Sequence, residues 1–151
     1  MEKVFKELLF KLNIDQRDIH LLNGPVDILL QFNKLKDMQQ FVNQCFNPLR
    51  RVGAKENLIK KMLSFIVISP GPVLAEKPFA FIFMNTHPRN LESVRAGLLA
   101  LPQVLSADSV FGPYGLICSV KARNDADCES VVSSIESLPG VQDLTTSVVI
   151  Q

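Results

Sequence analysis

A Gly-Pro corner between two apolar segments occurs twice in this chain, and it limits the possible folds more than any other feature. Residues 22–33 read Leu-Asn-Gly-Pro-Val-Asp-Ile-Leu-Leu-Gln-Phe-Asn, and residues 110–122 read Val-Phe-Gly-Pro-Tyr-Gly-Leu-Ile-Cys-Ser-Val-Lys-Ala. Each stretch reads as a strand, a tight turn and a second strand. Gly24 or Gly112 can supply a positive φ, and Pro25 or Pro113 fixes the next φ near the value a turn needs. One such turn says little. Its recurrence in matching surroundings marks the chain as a tandem.

With 151 residues, a tandem means two units of roughly 70–75 residues each. Units that small bury too little surface to stand alone, so each is expected to pack on the other, on a second chain, or on both. Hydrophobic residues make up 47% of the chain and charged residues 21%, which favours buried interfaces and argues against disorder.

The first residues, Met1 to Leu8, carry charges where a signal peptide needs an apolar core, and the longest uncharged run, Met62 to Ala75, contains Pro70, Gly71 and Pro72. Neither export nor membrane spanning is indicated. Cys45, Cys118 and Cys128 form no Cys-x-x-Cys pair, so no disulfide framework or zinc site is expected, and the reading is a reducing, cytoplasmic protein without a cofactor. The net charge of +1 conceals an asymmetry: residues 1–69 hold 11 Lys/Arg against 7 Asp/Glu, while residues 79–151 hold 4 against 7. That difference bears on association more than on fold.

Helical spacing of Val4, Phe5, Leu8, Leu9 and Leu12 predicts an amphipathic helix over residues 2–12. Strands are expected over 14–23 and 26–32, a helix over 34–46 ended by Asn47-Pro48, and a strand over 63–69. This gives α-β-β-α-β. Residues 70–78, Pro-Gly-Pro-Val-Leu-Ala-Glu-Lys-Pro, read as a linker that reaches about 28 Å when extended. Beyond it come a strand over 79–85, a helix over 91–101 with Asn90 as N-cap, hairpin strands over 104–111 and 115–122, a helix over 125–138, and a strand over 141–150. The second copy is thus β-α-β-β-α-β. That order defines a split βαβ, ferredoxin-like unit, with an antiparallel sheet and both helices on one face. The fold class expected is therefore α+β, with two such units at 1–69 and 79–151, the first lacking its opening strand.

The second copy resembles the effector-sensing (RAM) domain of the Lrp/AsnC family of prokaryotic regulators, across residues 79–150. The resemblance rests on the apolar strand Phe79 to Met84, the helix ending in Leu101-Pro102-x-Val104, the Gly112-x-Tyr114 turn, and Leu138-Pro139-Gly140-Val141 before the Thr145-Thr146-Ser147-Val148-Val149-Ile150 strand. The first copy is similar through Gly24-Pro25-Val26-Asp27-Ile28 and Met38 to Phe46. The resemblance implies paired domains of the dimeric α+β barrel type, with amino-acid effectors near the hairpin turn where one dimer meets the next. It makes Gly24, Asp27, Gly112, Tyr114, Gly115, Thr145 and Thr146 the candidate ligand-binding residues. The family turn is Gly, any residue, an aromatic, then Asp. Gly115 stands in place of that acid and Val26 in place of the aromatic, so each copy keeps a different half of the pattern. A carboxylate is the natural partner of an effector ammonium group. No helix-turn-helix is recognisable, so the expected protein is a sensing and oligomerising partner of a full-length regulator, or a homo-oligomer.

Other readings compete residue by residue. Tyr114 also suits a strand edge, Asp27 a plain turn, and the threonines a β-strand by propensity alone. Arg50, Arg51, Lys55, Lys60 and Lys61 form the strongly basic segment; they suit either phosphate contact or a solvated loop. His20 and His87 fall in different copies, and Asn85, Thr86 and His87 could rim a catalytic cleft of the kind found in barrel-type monooxygenases. Spacing supplies no nucleophile and base pair, so no catalytic residue is assigned.

Overall fold

The computed structural model describes residues 18–32, 34–46, 66–69 and 76–150. The helix expected over 2–12, the basic segment and residues 70–75 of the linker lie outside these. The chain forms two compact units, one of Met1–His20 with Ile28–Met62, the other of Leu21–Asp27 with Leu63–Gln151.

In the first unit, β1 (Ile19–Asn23) begins and β2 (Ile28–Leu30) follows the corner. The amide of Gln31 donates to the carbonyl of Asp18 at 2.9 Å. Helix α1 runs over Leu35–Phe41 and then widens into a π-helical turn, Val42–Phe46, so the helix expected through residue 46 is regular only to Phe41. Phe41 is buried and meets Phe32 at a ring separation of 5.6 Å.

The second unit contains the end of β1, then β3 (Ile66–Ser69), β4 (Ala80–Thr86), α2 (Leu91–Ala100), β5 (Val104–Phe111), β6 (Leu116–Val120), α3 (Asp125–Glu136) and β7 (Val141–Val149). Its strands lie in the order β1-β7-β4-β6-β5-β3, and every pairing is antiparallel. The inner four, β7-β4-β6-β5, put the first and third strands of a β-α-β-β-α-β run in the centre. This is the ferredoxin-like arrangement expected of residues 79–150.

Alternation assigns the faces. Ala80, Ile82, Met84, Leu116, Cys118 and Val120 pack with Val94 and Leu98 of α2 and Cys128, Val131 and Ile135 of α3. On the opposite face Phe81, Phe83, Ser119 and Ser147 are also buried. A strand enclosed on both sides has no reason to alternate, which accounts for the unbroken run Phe79 to Met84. Each such large side chain contributes about 1.5–3 kcal/mol of burial.

Polar bonds fix the helices on the sheet. Arg95 Nε donates to the carbonyl of Ala107 at 3.0 Å, and the Ser109 hydroxyl donates to Glu92 Oε1 at 3.4 Å, tying α2 to β5. Asn90 precedes α2 but its side chain makes no cap bond, contrary to the sequence expectation. A 3₁₀ turn over Pro88–Asn90 comes first, and His87 Nδ1 accepts from the Arg89 amide at 3.2 Å. α3 starts at Asp125 as expected, but the sequence reading did not name its cap: Asn124 Oδ1 accepts from the Asp127 amide at 2.9 Å, and the Asp127 carboxylate accepts from the Arg123 amide. The N-cap bond is thus joined by a second one that ties the residue before the cap to the first turn. Gly140, at φ +98°, brings the turn before β7 against α2, where an added Cβ would stand 2.9 Å from Asn90 Cβ.

The two outer ladders share one register. Leu22 and Asn23, the two residues before Gly24, pair with Val149 and Val148. Val110 and Phe111, the two residues before Gly112, pair with Val67 and Ile66. The strand leading into each corner therefore pairs with the strand that ends the other sequence repeat. These pairings account for Leu21–Asp27 and residues 63–69 belonging to the second unit.

Candidate functional site

The candidate ligand-binding residues fall into two groups within the second unit. At the first corner Gly24 has φ +152°, and an added Cβ would lie 2.7 Å from the Thr146 carbonyl oxygen and 2.8 Å from Ser147 Oγ. Only glycine fits there. The Val26 amide donates to Ser147 Oγ at 3.2 Å, and the Leu22 amide to the Asp27 carbonyl at 2.7 Å. Ser147 is completely buried, while Asp27 is exposed. The corner is thus seated on β7 through backbone contacts, and the Asp27 side chain faces solvent.

The second corner differs. Gly112 is not in the positive-φ region, which corrects the sequence expectation that it matches Gly24. The Val110 amide donates to the Gly115 carbonyl at 2.9 Å, and the Gly115 amide to the Met84 carbonyl at 3.1 Å, so the turn is held by β4. Gly112 and Pro113 are exposed, and Tyr114 and Gly115 are half-buried. Tyr114 lies against Phe83 with ring centroids 5.7 Å apart and planes inclined by 49°. Such tilted pairs are favourable by about 0.5–1.5 kcal/mol beyond area burial.

Register connects Thr145 to this second group. Phe83 pairs with Thr145 on β7 and with Ile117 on β6, and Ile117 pairs with Asp108 on β5. These residues form one row across the sheet, on the face away from α2 and α3. Tyr114, Phe83 and Thr145 therefore belong together, while Thr146 belongs with Gly24. Phe83 was not singled out from the sequence as part of a site. Its signal was only the apolar run on β4.

Two thiols lie in the helix-side core. Burial and then the Asp108 carboxylate push Cys118 up to about 12. Burial and then the nearby Asp125, Asp127 and Glu129 carboxylates raise Cys128. Both are poor nucleophiles at neutral pH. His87 Nδ1 serves as the acceptor of the 3₁₀ turn, Asn85 is half-buried, and Asn85 pairs with Asp143. Among the described residues, no group of three or more His, Cys, Asp or Glu side chains is placed to hold a metal ion. No helix among them is long and apolar enough to cross a membrane. The basic residues Arg50, Arg51, Lys55, Lys60 and Lys61 lie outside the described residues.

Strand order and helix placement define an α+β domain of the ferredoxin-like class. Residues 79–151 match the Lrp/AsnC ligand binding domain family, and this part of the chain is a domain of that family. The chain is 23% identical over 140 residues to the HTH-type transcriptional regulator FL11 of Pyrococcus horikoshii, an alignment covering 91% of this chain and 88% of that protein. Among solved structures, TTHA0845 from Thermus thermophilus is similar at 30% identity and a TM-score of 0.44, covering 46% of this chain and 89% of its own. The hypothetical protein PHS023 from Pyrococcus horikoshii is similar at 30% identity and a TM-score of 0.46, covering 50% of this chain and 93% of its own.

Proposed function

We propose that the protein is a non-enzymatic sensor of a small metabolite, an amino acid or a similar molecule, and that it acts in transcriptional regulation by oligomerising with itself or with a full-length Lrp-type regulator. The observation that carries this reading is the Lrp/AsnC ligand binding domain at residues 79–151, with Tyr114 resting on Phe83 beside an exposed Gly112-Pro113 turn. Residues 1–69 are read as a diverged second copy joined through residues 70–78. The shared register of the outer ladders supports that reading, because a two-fold relation between copies generates reciprocal pairings of this kind. The barrel-enzyme alternative is weakened by His87, whose Nδ1 is engaged in a cap.

The chain contains one tyrosine and no tryptophan, so its tyrosine fluorescence reports on Tyr114 alone. Thermal-shift measurements against each L-amino acid, followed by fluorescence titration, test the proposal. A hit is expected to raise the melting temperature and change Tyr114 emission. Absence of any stabilisation across the set would exclude amino acids as the effector.

A second reading has its own support. An alignment of 140 residues out of 151 with an HTH-type regulator necessarily takes in most of residues 1–69. That segment would then descend from a DNA-contacting half, with Arg50, Arg51, Lys55, Lys60 and Lys61 facing phosphate. Gel retardation at low and moderate salt separates the two, since phosphate-driven binding must weaken as salt rises.

A further inference from the structure

We propose that Ser106 and Ser119 hold one buried water between them, on the face of the sheet away from α2 and α3, where β5 bulges. Neither residue belongs to the candidate ligand-binding groups, and the site is independent of the sensing function.

Ser119 lies within β6 and is 3% exposed. Its row across the sheet is Ser147, Phe81, Ser119 and Ser106, on β7, β4, β6 and β5 in turn. Two other buried serines of this unit have bonded hydroxyls: Ser147 Oγ accepts from the Val26 amide, and Ser109 Oγ donates to Glu92. Ser119 Oγ is enclosed and has no hydrogen-bond partner among the described residues. On the β4 side its neighbour in the row is Phe81, a side chain without a lone pair. On the β5 side it is Ser106, itself buried.

The bulge makes that second pairing. Val104 stands opposite Val120, and regular continuation would bring Leu105 opposite Ser119. The ladder instead passes over Leu105 and pairs Ser106 with Ser119. A bulge re-aims side chains in this way and leaves its extra residue unpaired. Its effect here is to set a small hydroxyl, in place of a large apolar group, beside a buried one. Side chains directly opposite on antiparallel strands have Cβ atoms about 4.5–5.5 Å apart. Two serines at that spacing either bond directly or are bridged by one water. The direct bond is not made at Ser119, and a bridge satisfies the hydroxyl whose burial otherwise opposes folding. A buried water takes roughly two to four polar partners. Ser119 Oγ, Ser106 Oγ and a backbone group of the unpaired Leu105 supply them.

Ser119→Ala tests the site by the sign of its effect. With the water in place the variant removes one of its partners, and the melting temperature is expected to fall by about 2–4 °C, the scale of one modest hydrogen bond in a chain of this size. Without the water the same change removes a buried hydroxyl that nothing satisfies, and the melting temperature would rise. A rise, or no change, overturns the proposal.

A fall would also follow from a direct bond between the two serines in solution, so the water itself is counted. Relaxation dispersion of the water oxygen nucleus, measured on the full chain, reports waters held for longer than the protein takes to tumble. Ser119→Val puts a methyl group where the water sits and is expected to show one fewer such water than the native chain. Ser106→Val reads the same loss from the other strand if Ser119→Val does not fold. An equal count in the native chain and the folded variant overturns the site, whatever the melting temperatures.

Discussion

Val26 and Ser147 are separated by 121 positions in sequence and joined by a 3.2 Å hydrogen bond from backbone amide to side-chain hydroxyl. The bond exists because Gly24 lets the chain approach β7 more closely than any side chain would permit. A turn that looks like local chemistry is therefore a long-range contact.

Gly24→Ala is expected to destabilise the protein by about 1–3 kcal/mol, from a left-handed backbone that a Cβ disfavours and from the clash with Thr146 and Ser147. Gly112→Ala is expected to be neutral or slightly stabilising, within about 1 kcal/mol, because its φ is not positive. Urea denaturation of the two variants measures the difference. Equal effects would mean that the corners are structurally equivalent after all.

Phe83 is 1% exposed and supports Tyr114. Phe83→Ala is expected to cost about 3–5 kcal/mol, and Phe83→Leu considerably less because it fills more of the volume. Phe83→Leu also removes the ring facing the lone tyrosine, so its Tyr114 emission is expected to change while the fold persists. Far-ultraviolet circular dichroism recorded alongside the fluorescence separates the two effects.

Cys118 is fully buried, with its thiol raised to about 12. Alkylation of Cys118 at pH 8 is expected to be negligible in the native protein and rapid in denaturant, followed by mass spectrometry of the peptides. Fast labelling of Cys118 in the native state would show that the helix-side core opens far more readily than its packing indicates.

The Asp127 carboxyl lies below its ordinary range because Arg123 donates to it from side chain and backbone. A carboxyl lowered on folding adds stability that is complete above its unfolded pKa and is lost as pH falls through the lower folded value. Acid is therefore expected to loosen the start of α3, and the pair is exposed enough that salt weakens it further. Carbonyl NMR titration of Asp127 should give a midpoint below that of a free aspartate and move up towards it in Arg123→Ala, which removes the side-chain donor and keeps the backbone one. An unchanged midpoint in that variant would assign the lowering to the backbone amide of residue 123 and the helix end rather than to the guanidinium.

The sequence by itself determined the second repeat almost strand for strand. Val94 and Leu98 point inward from α2, and Cys128, Val131 and Ile135 from α3, because helical periodicity is a local property that solvent enforces at each turn. It also marked both corners, since Gly-Pro chemistry acts over neighbouring residues. Only the tertiary structure decided that β1 pairs with β7 and β3 with β5, that Ser147 belongs to the first corner and Phe83 to the second, and that Gly24 is strained where Gly112 is relaxed. Each of those depends on which strand edges meet, and strand partners far apart in the chain leave no mark in local spacing. Register also separates Thr145 from Thr146, adjacent in sequence: Thr145 lies opposite Phe83, while Thr146 meets Gly24 through its backbone carbonyl.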